Sequence, residues 1–285
     1  MINMIIDSHC HLNFRSFEGD VDEVIRRTLA NDTWMINVGS QLETSKKAIE
    51  LAEKYPQGVY ATVGLYPLHI PGVADLIARG AKLDSEEAAA QESVKDFNID
   101  DYRKLILSSK KVVAIGEIGL DYYWRPKSKT KLDIFKDLQK QGLLLQMDLA
   151  DELNLPVIFH CRVAHDDLID ILNIRRNFRG VIHSFTGTIG QMQQYLALGL
   201  YLGFNGIIFK HIQGIDWQEI ILKTPLDKIL IETDAPYLTP PMAGVARNEP
   251  VFVKYVAQEI AKIKKLSYEE VAIQTAKNAK TLFNI

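Results

Sequence analysis

Two histidines that stand one residue apart near the start of the chain are the first residues that could do chemistry. His9 and His11 flank Cys10 in the run Met-Ile-Ile-Asp-Ser-His-Cys-His over residues 4–11. Because alternate side chains of a β-strand lie on opposite faces, a strand here directs both imidazoles, and Asp7 with them, to one side. Paired imidazoles on a stiff strand are typical first ligands of a catalytic divalent metal. The pair therefore predicts a metal site whose other ligands lie elsewhere in the chain.

The elements that must position such a site are short apolar runs that alternate with helical patterns. The runs are almost continuously apolar, which is typical of parallel strands buried on both faces. The predicted strands cover residues 4–10, 34–39, 59–65, 112–118, 156–161, 180–185, 201–206 and 229–234. The predicted helices cover residues 20–31, 42–55, 131–153, 164–177, 189–198 and 215–223, with an amphipathic pair over 250–283. This alternation predicts an α/β fold, a (β/α)8 TIM barrel, as a single domain over residues 1–285.

A doubly wound open sheet is the alternative fold. It normally carries a glycine-rich phosphate loop after its first strand, where this chain has His-Cys-His-Leu. The barrel leaves one long stretch, residues 66–111, between the third and fourth predicted strands. We interpret it as an insertion in the third βα loop, whose acidic, alanine-rich middle at 84–93 is either an extra surface helix or a flexible excursion at the catalytic face.

Barrel active sites lie at the C-terminal ends of the strands, and this chain concentrates polar residues there. Six residues with nitrogen or oxygen ligand atoms lie at the ends of five predicted strands: His9, His11, Glu117, His160, His183 and Asp234. Each would be a costly polar group in an apolar strand unless it were paired or bound to metal. Six ligands exceed what one catalytic ion with an open position requires. The set therefore predicts two divalent ions, Zn²⁺, Mn²⁺ or Mg²⁺.

The ligand set also predicts roles. Glu117 is central among the strands and is interpreted as a carboxylate that bridges the ions. The histidines of the first strand and Asp234 would complete one ion, and the histidines of strands five and six the other. Two ions can share a hydroxide and clamp both the attacking and the leaving oxygen, with Asp234 as the acceptor of the water proton. Glu232 either orients a ligand histidine or is purely structural.

Composition limits the kind of protein. The net charge of −3, with 24% charged residues, argues against a protein held on nucleic acid by bulk charge, but not against an enzyme that grips a few phosphates. The two cysteines, Cys10 and Cys161, predict buried, inert thiols in a reducing compartment. Neither a targeting segment nor a membrane span is predicted, so the expected location is the cytoplasm, or the nucleus in a eukaryote. His165 is interpreted as a surface residue.

Seven motifs follow one another along the chain: Asp7–Leu12, Gly116–Tyr122, Leu155–Ala164, Gly180–Gly187, Gly203–Gly206, Ile231–Tyr237 and Arg247–Pro250. In residue type, order and spacing they resemble the TatD family of metal-dependent deoxyribonucleases, within the amidohydrolase superfamily. The resemblance implies a barrel hydrolase that cleaves phosphodiester bonds of DNA, often from the 3′ end. It also implies that the six strand-end residues are the metal ligands. Single-stranded DNA or a 3′ end would be the substrate, and no obligate protein partner is indicated.

One motif departs from the family pattern. After the third strand the family usually shows Gly-x-His-Pro-His, where this chain has Gly64-Leu-Tyr-Pro-Leu-His69. Tyr66 and Leu68 thus replace two histidines that the family uses for substrate, and His69, one position later, is a candidate substitute. The departure leaves the predicted metal ligands intact.

Four further residues are candidates for substrate contacts. Arg162 has the inward parity of the histidine before it and could hold a phosphate through two hydrogen bonds. Lys210 and Arg247 follow the last two strands, where barrels often bind phosphate. Tyr122, followed by Tyr123, could stack on a base at a frayed strand end.

Two alternative functions stay open. One is an amidohydrolase-type metal hydrolase of a small ester or amide. Such enzymes often bridge their metals with a modified lysine at a strand end, and Glu117 in this place favours the nuclease. The other is a weakly active paralogue that binds a partner through the 66–111 stretch, for which the exchanged histidines are the support.

Overall fold

The strands pair side by side in chain order. A computed structural model describes residues 4–77, 96–175 and 178–285. Its eight strands are parallel: β1 (Ile5–Cys10), β2 (Thr33–Asn37), β3 (Val59–Val63), β4 (Val112–Asp121), β5 (Val157–Arg162), β6 (Gly180–Ile182), β7 (Tyr201–Phe204) and β8 (Ile229–Ile231). The ends of β1 and β8 are joined because the His11 N–H donates to the Ala235 carbonyl at 2.7 Å and the Asp234 N–H to the His9 carbonyl at 2.9 Å. This contact closes the sheet, so the predicted (β/α)8 barrel is confirmed.

Helices separate the strands as in a regular barrel. They are α1 (Val21–Leu29), α2 (Leu42–Glu53), α3 (Ile99–Leu107), α4 (Lys129–Leu153), α5 (His165–Ile174), α6 (Ile189–Ala197), α7 (Trp217–Lys223), α8 (Val253–Lys264) and α9 (Tyr268–Phe283). Ser267 caps α9: its Oγ accepts from the Glu270 N–H at 3.1 Å, and the Ser267 N–H donates to Glu270 Oε2 at 2.7 Å. In the described ranges, no helix combines the length and apolar content that crossing a membrane requires.

The stretch 66–111 is partly regular barrel structure. α3 lies within it and is the ordinary helix between β3 and β4, so the predicted insertion does not reach residue 111. The sequence pattern hid α3 because its apolar face is narrow, with Tyr102 and Ile106 as its buried residues. The acidic segment at 84–93 lies outside the described residues.

An apolar cluster fills the barrel below the site. Six strands contribute the side chains of Ile6, Ile36, Ala114, Ile158, Val181 and Leu230, each 6% exposed or less. Leu282 and Phe283 at the end of α9 pack against this cluster and cover the opposite end from the strand C-termini. Burial of these side chains contributes about 1.5–3 kcal/mol each for the larger ones, which makes the barrel a stiff support for the residues above it.

The strand ends differ from the sequence prediction in a way that matters for the site. β6 and β8 end about three residues early, at Ile182 and Ile231. The backbone then turns through left-handed conformations at Ser184 (φ 46°) and Asp234 (φ 59°). The predicted ligands His183 and Asp234 lie at these turns, beyond the last residue of their strands, where their side chains can project over the barrel mouth.

Candidate metal centre

Glu117 stands at the centre of the barrel mouth with its two oxygens facing different imidazole pairs. Oε1 lies 2.5 Å from His160 Nδ1 and 3.4 Å from His183 Nε2. Oε2 lies 3.7 Å from His9 Nε2 and 3.9 Å from His11 Nε2. The side chain is 6% exposed. A carboxylate in this position can bind one cation on each oxygen.

Asp234 joins the histidines of β1 on the other side of the site. Its Oδ1 lies 3.8 Å from His9 Nε2 and 3.5 Å from His11 Nε2, and the two ring nitrogens are 3.1 Å apart. The two backbone hydrogen bonds that join the ends of β1 and β8 hold these three residues together. Two groups of three residues each have their ligand atoms within 4.8 Å of one another. One group is His9, His11 and Asp234, and the other is His9, Glu117 and His183.

In His11 and His183, the hydrogen bond made by Nδ1 determines that Nε2 faces the site. His11 Nδ1 lies 3.0 Å from the Val38 carbonyl, and His183 Nδ1 lies 3.0 Å from Glu232 Oε1. Because both acceptors need a proton on Nδ1, the neutral ring presents the lone pair of Nε2 to the site. This is the arrangement that a metal ion requires, so the residues present fit a divalent cation.

Glu232 is a support for His183. It is fully buried, and its Oε1 also accepts from the Ser184 N–H at 2.7 Å and from Asn205 Nδ2 at 3.2 Å. Gly203 on β7 leaves the room for it, since a Cβ there would lie 2.5 Å from Glu232 Oε2. Of the two alternatives, these contacts favour the orienting role.

Carboxylates and imidazoles alternate in the site and shift one another's pKa. Burial opposes ionisation of Glu117, but the charges of His183 and His160 outweigh it and hold the pKa of this carboxyl well below its usual range. Burial likewise opposes protonation of His183, but Glu232 and Glu117 raise its pKa well above the ordinary value. The pKa of Asp234 is lowered, because the hydrogen bond from His11 and the charge of His183 outweigh burial. Both carboxylates are therefore in the ionised form that binds cations.

Asp121 supports the site and was missed by the sequence reasoning. It is fully buried, and its Oδ2 accepts from Tyr66 OH at 2.7 Å, Arg162 Nε at 2.8 Å and His160 Nε2 at 3.1 Å. With Nε2–H bound to Asp121, the neutral His160 ring turns the lone pair of Nδ1 towards Glu117. Asp121 has the same parity as Glu117 four residues earlier, but the predicted strand ended at residue 118, whereas β4 continues to Asp121.

A cavity of about 460 Å³ opens above the candidate ligands. Of the predicted substrate contacts, Arg162 and His69 line it together with Tyr66. The His69 ring is fixed by Nδ1, 3.0 Å from the Ser40 carbonyl. Leu68, the second exchanged position, is fully buried and packs into the core.

The other three predicted contacts lie away from this cavity. Lys210 is exposed beyond β7. Tyr122 is 3% exposed, and its hydroxyl donates to Asp167 Oδ2 at 2.9 Å, so its ring cannot stack on a base. Arg247 forms ion pairs with Asp20 at 2.5 Å and Glu249 at 3.2 Å. Residues in loops have no periodicity from which the direction of a side chain can be predicted. The sequence also does not show that Asp167, Asp20 and Glu249 are the partners of these side chains.

Four other residues near the site, Cys10, Cys161, His165 and Asp7, are buried. Cys10 and Cys161 are buried free thiols, as predicted, and burial raises the pKa of both. The surface prediction for His165 is wrong: it is 7% exposed, Nδ1 lies 3.0 Å from Tyr195 OH, and burial lowers its pKa to about 4. Asp7 does not share the histidine face, because a register shift follows it in β1, and its Oδ2 accepts from Thr233 Oγ1 at 2.5 Å.

The family of the chain follows from comparison with known proteins. The family model described as TatD related DNase matches residues 6–284. The chain belongs to this family. The uncharacterized metal-dependent hydrolase YabD of Bacillus subtilis is 36% identical over 99% of this chain and 100% of its own length. The 3'-5' ssDNA/RNA exonuclease TatD of Erwinia tasmaniensis is 32% identical over 99% of this chain and 100% of its own.

A solved structure agrees with this family. The crystal structure of YJJV, a TatD homolog from Escherichia coli, superposes with a TM-score of 0.80 at 28% identity and covers 100% of both chains. The protein described here is thus a TatD-family metal-dependent hydrolase that acts on ester bonds. The resemblance read from the seven motifs is confirmed.

Proposed function

We propose that this TatD-family hydrolase is a two-ion phosphodiesterase that degrades single-stranded DNA from its 3′ end. The observation that carries the proposal is the position of Glu117. One of its oxygens faces His160 and His183, and the other faces the two histidines of β1, at 2.5–3.9 Å. A single ion would need only one of these groups.

The proposed ions are Zn²⁺, Mn²⁺ or Mg²⁺. Every candidate ligand atom is nitrogen or oxygen, which suits this class of cation. The thiols are engaged elsewhere: Cys10 Sγ donates to the Ile36 carbonyl at 3.4 Å, and Cys161 Sγ accepts from Tyr195 OH at 3.8 Å. Bound divalent ions would lower the pKa of a water and stabilise the negative charge that develops on phosphoryl oxygens.

The chain's own groups divide the remaining work. Asp234 is ionised, lines the cavity and is the proposed acceptor of the proton that the attacking water loses. Arg162 also lines the cavity, and its charge suits a phosphate, although Asp121 occupies its Nε. Lys47 and Arg15 also line this cavity, and their positive charge suits a phosphodiester backbone.

Two observations support a nucleic acid as the substrate. A relative that is 32% identical over nearly the whole chain is named a 3'-5' ssDNA/RNA exonuclease. The cavity of about 460 Å³ also lies within the range that binds a ligand of nucleotide size. With both cysteines buried and unbridged, the cytoplasm stays the predicted compartment.

The test is digestion of 5′-labelled single-stranded DNA by protein stripped of metal and reloaded with Mn²⁺, Mg²⁺ or Zn²⁺ separately. We expect a ladder that shortens from the 3′ end and stops at a 3′ phosphorothioate. Glu117→Gln should reduce the rate to that of the chelated sample. Glu152→Gln is the matched control, because Glu152 is a carboxylate that pairs with Arg103 at 2.8 Å and does not line the cavity.

A parallel assay separates the ester-hydrolase alternative. Hydrolysis of bis(p-nitrophenyl) phosphate is expected with the metal that supports DNA cleavage, and hydrolysis of a carboxylic ester is not. Rapid ester turnover without DNA cleavage under any metal would overturn the proposal.

A further inference from the structure

Tyr123 and Arg162 form an exposed stack just outside the cavity. The Tyr123 side chain is 55% exposed, and no other aromatic side chain in the described ranges is as exposed. The Arg162 guanidinium carbon lies 4.7 Å from the centre of its ring. Because Arg162 also lines the cavity, a strand that leaves the cavity on this side passes the stack.

Both residues of the stack are hydrogen-bonded to one buried carboxylate. The Tyr123 N–H donates to Asp121 Oδ1 at 2.9 Å, while Arg162 Nε donates to Oδ2 of the same buried carboxylate at 2.8 Å. The ring edge also packs against Trp124, at 4.7 Å between centroids and 79° between planes. An exposed aromatic ring that needs no ordering on binding is a low-cost platform for a flat ligand.

We propose that Tyr123 and Arg162 form a subsite for an unpaired nucleobase of the nucleotide next to the one being released. This inference rests on the proposed function. An aromatic ring and a guanidinium plane are the two protein groups on which single-stranded bases stack, and stacking accepts any base because every base has a π-face. The sequence pointed to Tyr122 as the stacking residue, but the structure buries Tyr122 and exposes its neighbour.

The test compares an oligonucleotide with a substrate that has no base. Tyr123→Ala should raise KM for single-stranded DNA by about fivefold or more, the low end of base–aromatic stacking. Its kcat on bis(p-nitrophenyl) phosphate should equal that of the wild type, because the subsite lies outside the cavity where the ester is cleaved. In a series of oligonucleotides with one abasic position each, the effect should vanish when the abasic position is the stacked one. Tyr123→Phe keeps the ring and should behave like the wild type.

A matched control exists at the other end of the barrel. Tyr201, at the start of β7, also carries a cation over its ring, with Lys228 Nζ at 4.8 Å from the centroid. Tyr201→Ala should leave KM for DNA unchanged. If wild-type protein cleaves DNA and Tyr123→Ala has the same KM on every oligonucleotide, the subsite is refuted while the nuclease function stands. If neither substrate is cleaved by the wild type with any metal, the proposed function itself fails.

Discussion

Asp121→Asn should weaken binding of the ion next to His160 without unfolding the protein. In the wild type one fully buried oxygen accepts from His160, Tyr66 and Arg162 at 2.7–3.1 Å. An amide in this place keeps the shape but loses the charge. A hydrogen bond to a charged group contributes about 1.5–3 kcal/mol, against about 0.5–1.5 kcal/mol for a neutral one.

The expected loss of metal affinity follows from the hydrogen bond between Asp121 and His160, the candidate ligand that Asp121 contacts. Losing the charge on the acceptor of His160 Nε2–H costs about 1.4 kcal/mol, which is about tenfold in affinity. Loss of the hydrogen-bond partner of a metal-bound histidine typically costs about 10–100-fold in metal affinity, so Asp121→Asn should lose at least about tenfold.

The assay is titration of metal-free protein with Zn²⁺ against a competing chelating indicator, with thermal unfolding measured on the same samples. Asp167→Asn is the matched control, because Asp167 is a partly buried carboxylate that binds Lys140 at 3.0 Å and Tyr122 at 2.9 Å, away from the cavity. Wild-type affinity in Asp121→Asn, or an equal loss in Asp167→Asn, would refute the reasoning.

Three other perturbations have defined outcomes. Tyr66→Phe removes the 2.7 Å hydrogen bond to Asp121 but keeps the ring in the cavity wall. The kcat on DNA should therefore fall by about tenfold or less, with the affinity for metal little changed. Burial lowers the pKa of His160 and His183, but the neighbouring carboxylates outweigh it and raise both values above 6.5. The ion pairs of the protonated rings therefore stabilise the folded protein fully below pH 6.5, and this stabilisation is lost as the pH rises through the raised pKa values. Metal uptake near neutral pH must therefore release protons, which calorimetry in two buffers of different ionisation enthalpy detects; identical heats would contradict it. Ser267→Ala removes the α9 cap and should cost about 1 kcal/mol, or about 2 °C in Tm, with unchanged activity.

The sequence predicted the barrel and the candidate ligands for the same physical reason. Parallel strands buried on both faces give apolar runs, and a polar residue at the end of such a run has few uses other than a site. His160 and Glu117 could be found this way because a strand fixes side-chain direction by parity. Asp121 has the same parity, but it lies beyond residue 118, where the predicted strand ended.

The rest depended on contacts that no local pattern reveals. Lys210 and Arg247 lie in loops, where no periodicity fixes the side-chain direction, and Arg247 is taken up by Asp20 and Glu249. Tyr122 is buried because Phe135 and Lys136 of α4 pack on its ring and Asp167 of α5 binds its hydroxyl, and these tertiary contacts are not visible from the sequence. The register shift between Asp7 and Cys10, which turns Asp7 away from the histidines, is likewise not visible in the alternation of residues along β1.

The most direct test follows bound metal and DNA cleavage in the same samples. Metal-free protein is titrated with Mn²⁺, and both the ions bound per chain and the initial rate on single-stranded DNA are measured at each step. We expect two ions per chain in the wild type, with the rate rising mainly as the second ion binds. A full cleavage rate at one ion per chain would contradict the bridging role of Glu117, and absence of cleavage at two would contradict the nuclease function.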